Sequence, residues 1–228
     1  LIPFYYLPSK KPRNKISKDI ITKGFKELKL VWIQIKLNIK LKQFLFAFFV
    51  YSTALQTVML VATYFGEEEI QWTNQSEKTI GLILSILLIQ IVAILGAFLA
   101  AKSSSRYGNI KTLIVINLIW GVLCLVAFFI KTPIQFYFVA AFVGLVMGAL
   151  QPLSRSTFSK FMPETVDTTS YFSFYGVTEK ISIIIGMFLF GFIDQITGSM
   201  RNSILPFLFF FMLGAYLLLR ISKKFEIN

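Results

Sequence analysis

The chain has no histidine and a single cysteine, Cys124, among its 228 residues. Without histidine there is no Ser-His-Asp or Cys-His constellation and no imidazole for the usual zinc sets, and one thiol cannot close an internal disulfide. Charge is scarce too. Only 15% of residues are charged and 56% are hydrophobic, whereas soluble domains carry about 25% charge, and the mean hydropathy is +0.70. Water is not the main solvent of such a chain. HExxH and GxSxG signatures are missing, as are paired carboxylates inside an apolar block, so the sequence offers no enzyme site and calls for no cofactor and no metal.

What the chain has instead is 25 Phe, and apolar residues gathered into six blocks at 43–65, 79–101, 112–130, 134–153, 171–193 and 203–221. Each is close to the ~20 residues that cross a ~30 Å hydrocarbon core as a helix. The expected fold is therefore all-α and transmembrane. The loops alternate in charge, with Lys102, Arg106 and Lys111 after the second block, Arg155 and Lys160 after the fourth, and Arg220, Lys223 and Lys224 after the sixth. Glu67, Glu68, Glu69 and Glu77 follow the first. By the positive-inside rule the basic loops and both ends of the chain lie in the cytoplasm. The net charge of +12 does not point to nucleic acid, because 11 of the 23 Lys and Arg fall between Lys10 and Lys42, beside the first block. That placement favours membrane lipid as the partner.

Four segments follow. Residues 1–8, apolar and closing at Pro8, read as the end of a preceding transmembrane helix, which makes the chain a C-terminal portion. Residues 9–42 form a basic cytoplasmic linker, in which Phe25, Leu28, Trp32, Ile35 and Ile39 make one stripe and Lys26, Lys29, Lys36 and Lys40 largely another, the pattern of an amphipathic helix lying on the membrane. Residues 43–221 are the six-helix unit and 222–228 a cytoplasmic tail.

Polar residues inside apolar blocks are costly unless they face protein or water, so they mark candidate function. The first block carries Ser52, Thr53, Gln56, Thr57 and Thr63 on one helical face, while the third has only Asn117 near its middle and the sixth only Tyr216. The third and sixth are expected to face lipid. The sharpest signal is Glu179 and Lys180, the ionisable pair deep within the fifth block, about 100° apart on a helix and so unable to neutralise one another readily. With Tyr175 on the same helix they are candidates for the substrate path or for ion coupling. The fourth block ends in Gly144, Gly148, Gln151, Pro152, Ser154 and Arg155. The glycines read as a packing seam, Pro152 as a helix breaker, Gln151 as path-lining and Arg155 as a gating contact or a topogenic charge. Asn117 reads as an interhelical hydrogen-bonding residue.

After the second block, Ser105, Arg106, Tyr107, Gly108 and Lys111, preceded by Gly96, resemble the loop signature of the major facilitator superfamily, with Ser105 where that signature has Asp. Arg106 and Gly108 are thus candidate gating-loop residues. A closer resemblance runs from Gly148 to Gly198. Gln151, Leu153, Ser154, Arg155, Ser156, Pro163, Phe174, Tyr175 and Lys180 match the pattern of the vacuole effluxer branch of that superfamily, with Pro152 in place of a small residue and Gly176 in place of an acid. The resemblance implies a six-helix C-terminal bundle of two three-helix inverted repeats, a missing N-terminal six-helix half of the same chain, and alternating-access transport of a small-molecule substrate, with amino-acid export the leading guess. A bacterial inner membrane is the expected location. The competing readings are a self-contained six-helix scaffold, a half-size protein working as a dimer, and a membrane enzyme.

Overall fold

The computed structural model describes residues 19–164 and 167–225. The expected helix end at 1–8, the start of the basic linker and the last three residues of the tail lie outside the described residues. Among the described residues the chain forms seven helices and no strand: α1 (Asp19–Leu37), α2 (Ile39–Glu68), α3 (Gln75–Tyr107), α4 (Asn109–Phe129), α5 (Pro133–Phe161), α6 (Thr168–Thr197) and α7 (Met200–Phe225). The last six are long and apolar enough to cross a bilayer. They bear out the expected all-α transmembrane architecture.

Local chemistry marks each boundary. The side chain of Asn38 accepts from the Leu41 amide and starts α2, Asn74 accepts from the Glu77 amide at α3, and Thr132 and Gln135 form a capping box at α5. Asp167 accepts from Ser170 at the start of α6, and hydrogen bonding with Ser170 holds its carboxyl below the usual range. The turn between α3 and α4 is one residue, Gly108, whose φ of 86° suits a residue without Cβ.

Helix pairing shows an internal two-fold logic. Pairing α2 with α5, α3 with α6 and α4 with α7 as equivalents turns the close α3–α5 packing into the α2–α6 packing. It likewise turns α2–α7 into α4–α5 and leaves α4–α7 facing itself; all of these contacts are present. Two three-helix repeats enclosing one unit produce this arrangement.

Both equivalent crossings rest on small residues. A Cβ at Gly96 or Gly148 in the α3–α5 seam would collide with the Leu145 or Ala93 carbonyl, and one at Gly144 with that of Ile89. At the α2–α6 crossing a Cβ on Gly186 would meet Thr53 and Thr57. Between helices in lipid, where apolar contact gives little net gain, such close backbone approach supplies much of the attraction.

Several expectations need correction. Pro152 does not break α5, which runs on to Phe161; it removes one ladder hydrogen bond, and the helix tolerates the loss near its end. Most of the polar face of α2 is buried against protein: Ser52, Thr53 and Thr57 are fully enclosed, and Thr53 and Thr57 donate to the carbonyls of Phe49 and Thr53 one turn back. Asn117 donates to Leu113 within its own helix and makes no interhelical bond among the described residues. α4 and α7 are not simply lipid-facing; their inner faces pack together, with Trp120 stacked on Phe211 at 5.3 Å. Low polarity cannot tell lipid from an apolar core, because the two are chemically alike.

The linker helix differs as well. Val31 and Ile35 of α1 are buried in the bundle, Trp32 stacks on Phe174 of α6 at 5.6 Å, and the Tyr171 hydroxyl donates to Gln34. The stripe expected to meet lipid therefore meets protein at Ile35 and Trp32. Leu30, Ile33 and Leu37 of α1 are exposed, and Trp32 is partly so.

At the acidic end Arg201, at the start of α7, donates to the Glu69 carboxylate (2.6 Å) and carbonyl, and to the carbonyls of Phe128 and Ile130. One guanidinium thus satisfies the C-terminal ends of both α2 and α4, where unpaired carbonyls and the helix dipole favour a cation. Arg201→Ala is expected to lower the unfolding midpoint of the detergent-solubilised protein, a loss of about 2 kcal/mol or more. Gly148→Leu should cost about 1–3 kcal/mol by overpacking the seam, and Gly191→Leu, where a Cβ meets nothing, about 0.5 kcal/mol or less. Equal midpoints for the two glycine variants would contradict the seam.

Candidate functional site

The α2–α6 crossing decides which polar groups meet. Gly186 seats α6 against Thr53 and Thr57, the residues flanking Gln56 on α2, and Glu179 lies two turns before Gly186. The Gln56 amide consequently donates to the Glu179 carboxylate at 2.8 Å. Glu179 sits ~16 Å along α6 from its basic-end start, and one hydrogen bond leaves most of its acceptor capacity open.

Opposite stands α5. Gln151, Pro152, Ser154 and Arg155 line, with Gln56, Tyr175 and Glu179, a cavity of about 260 Å³. Tyr175 forms its wall, stacked on Phe48 with centroids 4.2 Å apart and tilted against Phe158 at 4.9 Å, so the ring is held on two sides. Ser154 gives its only proton to the Leu150 carbonyl, which makes Tyr51 the donor in the 2.8 Å Tyr51–Ser154 hydrogen bond. Gln151 donates to the Met59 sulfur at 3.3 Å, a weak acceptor that a better one can displace. The Arg155 guanidinium lies 5.4 Å from the Phe172 ring centre and makes no hydrogen bond among the described residues.

Five of the eight residues singled out from the sequence therefore converge: Gln56, Gln151, Tyr175, Glu179 and Arg155. Three do not. Lys180 is exposed on α6 outside the cavity, with no partner among the described residues. Arg106 is exposed, its guanidinium over the adjacent Tyr107 ring, and Gly108 forms the α3–α4 turn; neither touches the cavity. Sequence reasoning missed Phe48, Leu55 and Ser154 as wall residues, and an apolar side chain within an apolar span gives no signal of its own. A second cavity, about 60 Å³ and nearly all apolar, lies among Trp120, Cys124 and Phe136 and holds none of the candidate residues.

The cavity combines a carboxylate, a guanidinium, two amides and a clamped phenol in the interior of a membrane-spanning bundle. Residues 1–225 match the family model described as vacuole effluxer Atg22 like. The chain belongs to this family. It is similar to an uncharacterized MFS-type transporter, YxiO, of Bacillus subtilis, with 27% identity over 90% of this chain and 46% of the relative. Its identity to autophagy-related protein 22 of Saccharomyces cerevisiae is 32%, over 75% of this chain and 33% of the relative. The chain thus spans less than half the length of these relatives. Among solved structures, the Escherichia coli fucose:proton symporter FucP matches with a TM-score of 0.64 at 18% identity, covering 95% of this chain and 50% of that one. That likeness is one of fold, and it bears out the expected six-helix bundle of the major facilitator superfamily.

A cysteine replacing Gln151 or Arg155 is expected to react with a membrane-impermeant thiol reagent, while one replacing Thr57, fully buried, should stay protected. Mass spectrometry of the labelled protein reads the outcome, with buried Cys124 changed to alanine. Labelling at position 57 with protection at 151 and 155 would invert the assigned faces.

Proposed function

We propose that the six-helix unit is one wall of the solute path of a secondary active transporter working by alternating access, and that its solute is an amino acid moved as an export substrate. The observation that carries this reading is the pairing of opposite charges on one cavity. Glu179, oriented by Gln56, complements an ammonium group, and the Arg155 guanidinium, without a hydrogen-bonding partner among the described residues, complements a carboxylate in bidentate fashion. Gln151 supplies an exchangeable polar contact, and Tyr175 a rigid apolar face for the solute's side chain. The name of the yeast relatives' family, vacuole effluxer, agrees in direction. A second six-helix unit completes the path across from α2, α5 and α6, with Lys180 facing it, and the basic end of the bundle is cytoplasmic.

Reconstitution of the intact protein in proteoliposomes preloaded with labelled neutral amino acids tests the reading. Saturable efflux is expected, cut about tenfold or more by Glu179→Gln and by Arg155→Gln, equivalent to ~1.4 kcal/mol or more, and lost in Lys180→Met; L-fucose serves as the control solute. No amino-acid flux, or normal flux in all three variants, would sink the proposal.

A further inference from the structure

Glu179 and Lys180 stand side by side within the fifth apolar block, and only the first finds a partner inside the bundle. Glu179 accepts from Gln56, while Lys180 is exposed on α6 with no partner among the described residues. At ~1.5 Å per residue, Lys180 lies ~14 Å from the start of the block at residue 171 and ~20 Å from its end at 193. Both distances exceed the reach of a four-carbon stem, so snorkelling cannot carry the ammonium to the headgroups. A lone cation at that depth in hydrocarbon is costly, and such residues face protein or an aqueous cavity instead.

The surroundings of Lys180 on α6 point to protein. Counted at ~100° per residue, Tyr175, Ser182 and Gly186 mark the buried face, and Lys180 lies ~140° from its centre. Ser173 and Gly176 fall within ~40° of Lys180 on the helical wheel; Ser173 is exposed, and a Cβ on Gly176 would meet nothing. Ile181, Ile185, Phe188 and Phe192, all exposed, fill a separate arc of ~60°. The helix thus has one face packed on α2, one of bulky apolar side chains suited to lipid, and one of small residues around an amine. Glycine costs a helix stability relative to alanine, and Gly176 gains no close packing within this unit in return. Small residues are what let another helix come close in a membrane.

The ammonium calls for a carboxylate, and this unit has none to spare. Of the 11 Asp and Glu residues, Glu179 alone lies inside one of the six apolar blocks, and it is held by Gln56 at the cavity. The relatives are long enough to supply another: this chain spans 46% of YxiO and 50% of FucP.

We propose that Lys180 pairs at mid-membrane with an aspartate or glutamate on a helix of the second six-helix unit, which seats against Ser173 and Gly176. The pairing rests on the proposed placement of that unit across from α2, α5 and α6, and it adds the surface and the charge by which the two units recognise each other.

The full-length protein in its membrane is treated with dicyclohexylcarbodiimide, a lipid-soluble reagent that joins a carboxyl to a touching amine as an amide with loss of water, and the peptides are read by mass spectrometry. A cross-link is expected between Lys180 and an Asp or Glu outside residues 1–228, absent from Lys180→Met. The unfolding midpoint of the full-length protein in detergent is the second readout, and it decides where coupling gives no product. Lys180→Met is expected to lower it by about 2 °C or more, because the facing carboxylate loses its cation; Lys180→Arg should keep it, as should Ile185→Leu on the lipid-facing arc. A midpoint that Lys180→Met leaves unchanged or raises, as removal of a lone charge from lipid would, overturns the proposal. So does a cross-link to a carboxylate of this unit or of a second copy of it. Neither readout depends on flux, so the pair and the transport reading fail separately; a full-length protein without further spans would remove the second unit itself.

Discussion

The rest of the structure depends on the close approach of helix backbones at two crossings related by the internal repeat. At α3–α5 the approach runs through Gly96, Gly144 and Gly148, and at α2–α6 through Gly186 against Thr53 and Thr57. In lipid, leucine on leucine brings little net gain, so close backbone contact is what holds particular helices side by side. The second crossing brings Gln56 to Glu179, and the site is its direct consequence.

Polar groups inside the bundle divide by how they are satisfied. Thr53, Thr57, Thr178 and Ser85 give their protons to carbonyls one turn back in their own helices, which meets their needs without a neighbour. Gln56, Gln151 and Glu179 reach across to another helix instead, and Arg155 presents its donors at the cavity. Locally satisfied groups bury cheaply and report little about function. Those directed into a cavity need a solute, water or a facing helix to complete them.

The two ends of the bundle are built differently. The acidic end is tied by Arg201, by the Lys78–Glu67 pair at 3.0 Å, and by Trp72, whose indole donates to the Gly66 carbonyl. The basic end carries α1, docked through Trp32 and Gln34 onto the start of α6. A bundle whose helices are bonded together at one end suits motion as a rigid body, which is what the proposed alternating access would use.

Much of this was legible in the residues alone. Six apolar blocks of bilayer length dictate six spans, because a spanning chain in hydrocarbon must form helices, and the glycine spacing in the fourth block announced a packing seam. The isolation of Glu179 in an apolar block marked it, since a charge there is costly. The sequence could not say which helices meet. A polar stripe looks the same whether it faces water or the backbone of a glycine-bearing neighbour, so the sequence cannot tell Gln56, which reaches the cavity, from Thr53 and Thr57 on the same face, which pack against Gly186. Nor could it separate Glu179 from Lys180, adjacent in the chain but directed to different surroundings by the 100° step of the helix. That choice, like the meeting of Glu179 with Arg155 on one cavity, belongs to the tertiary structure, because it is set by which faces of α2, α5 and α6 the close crossings turn toward one another.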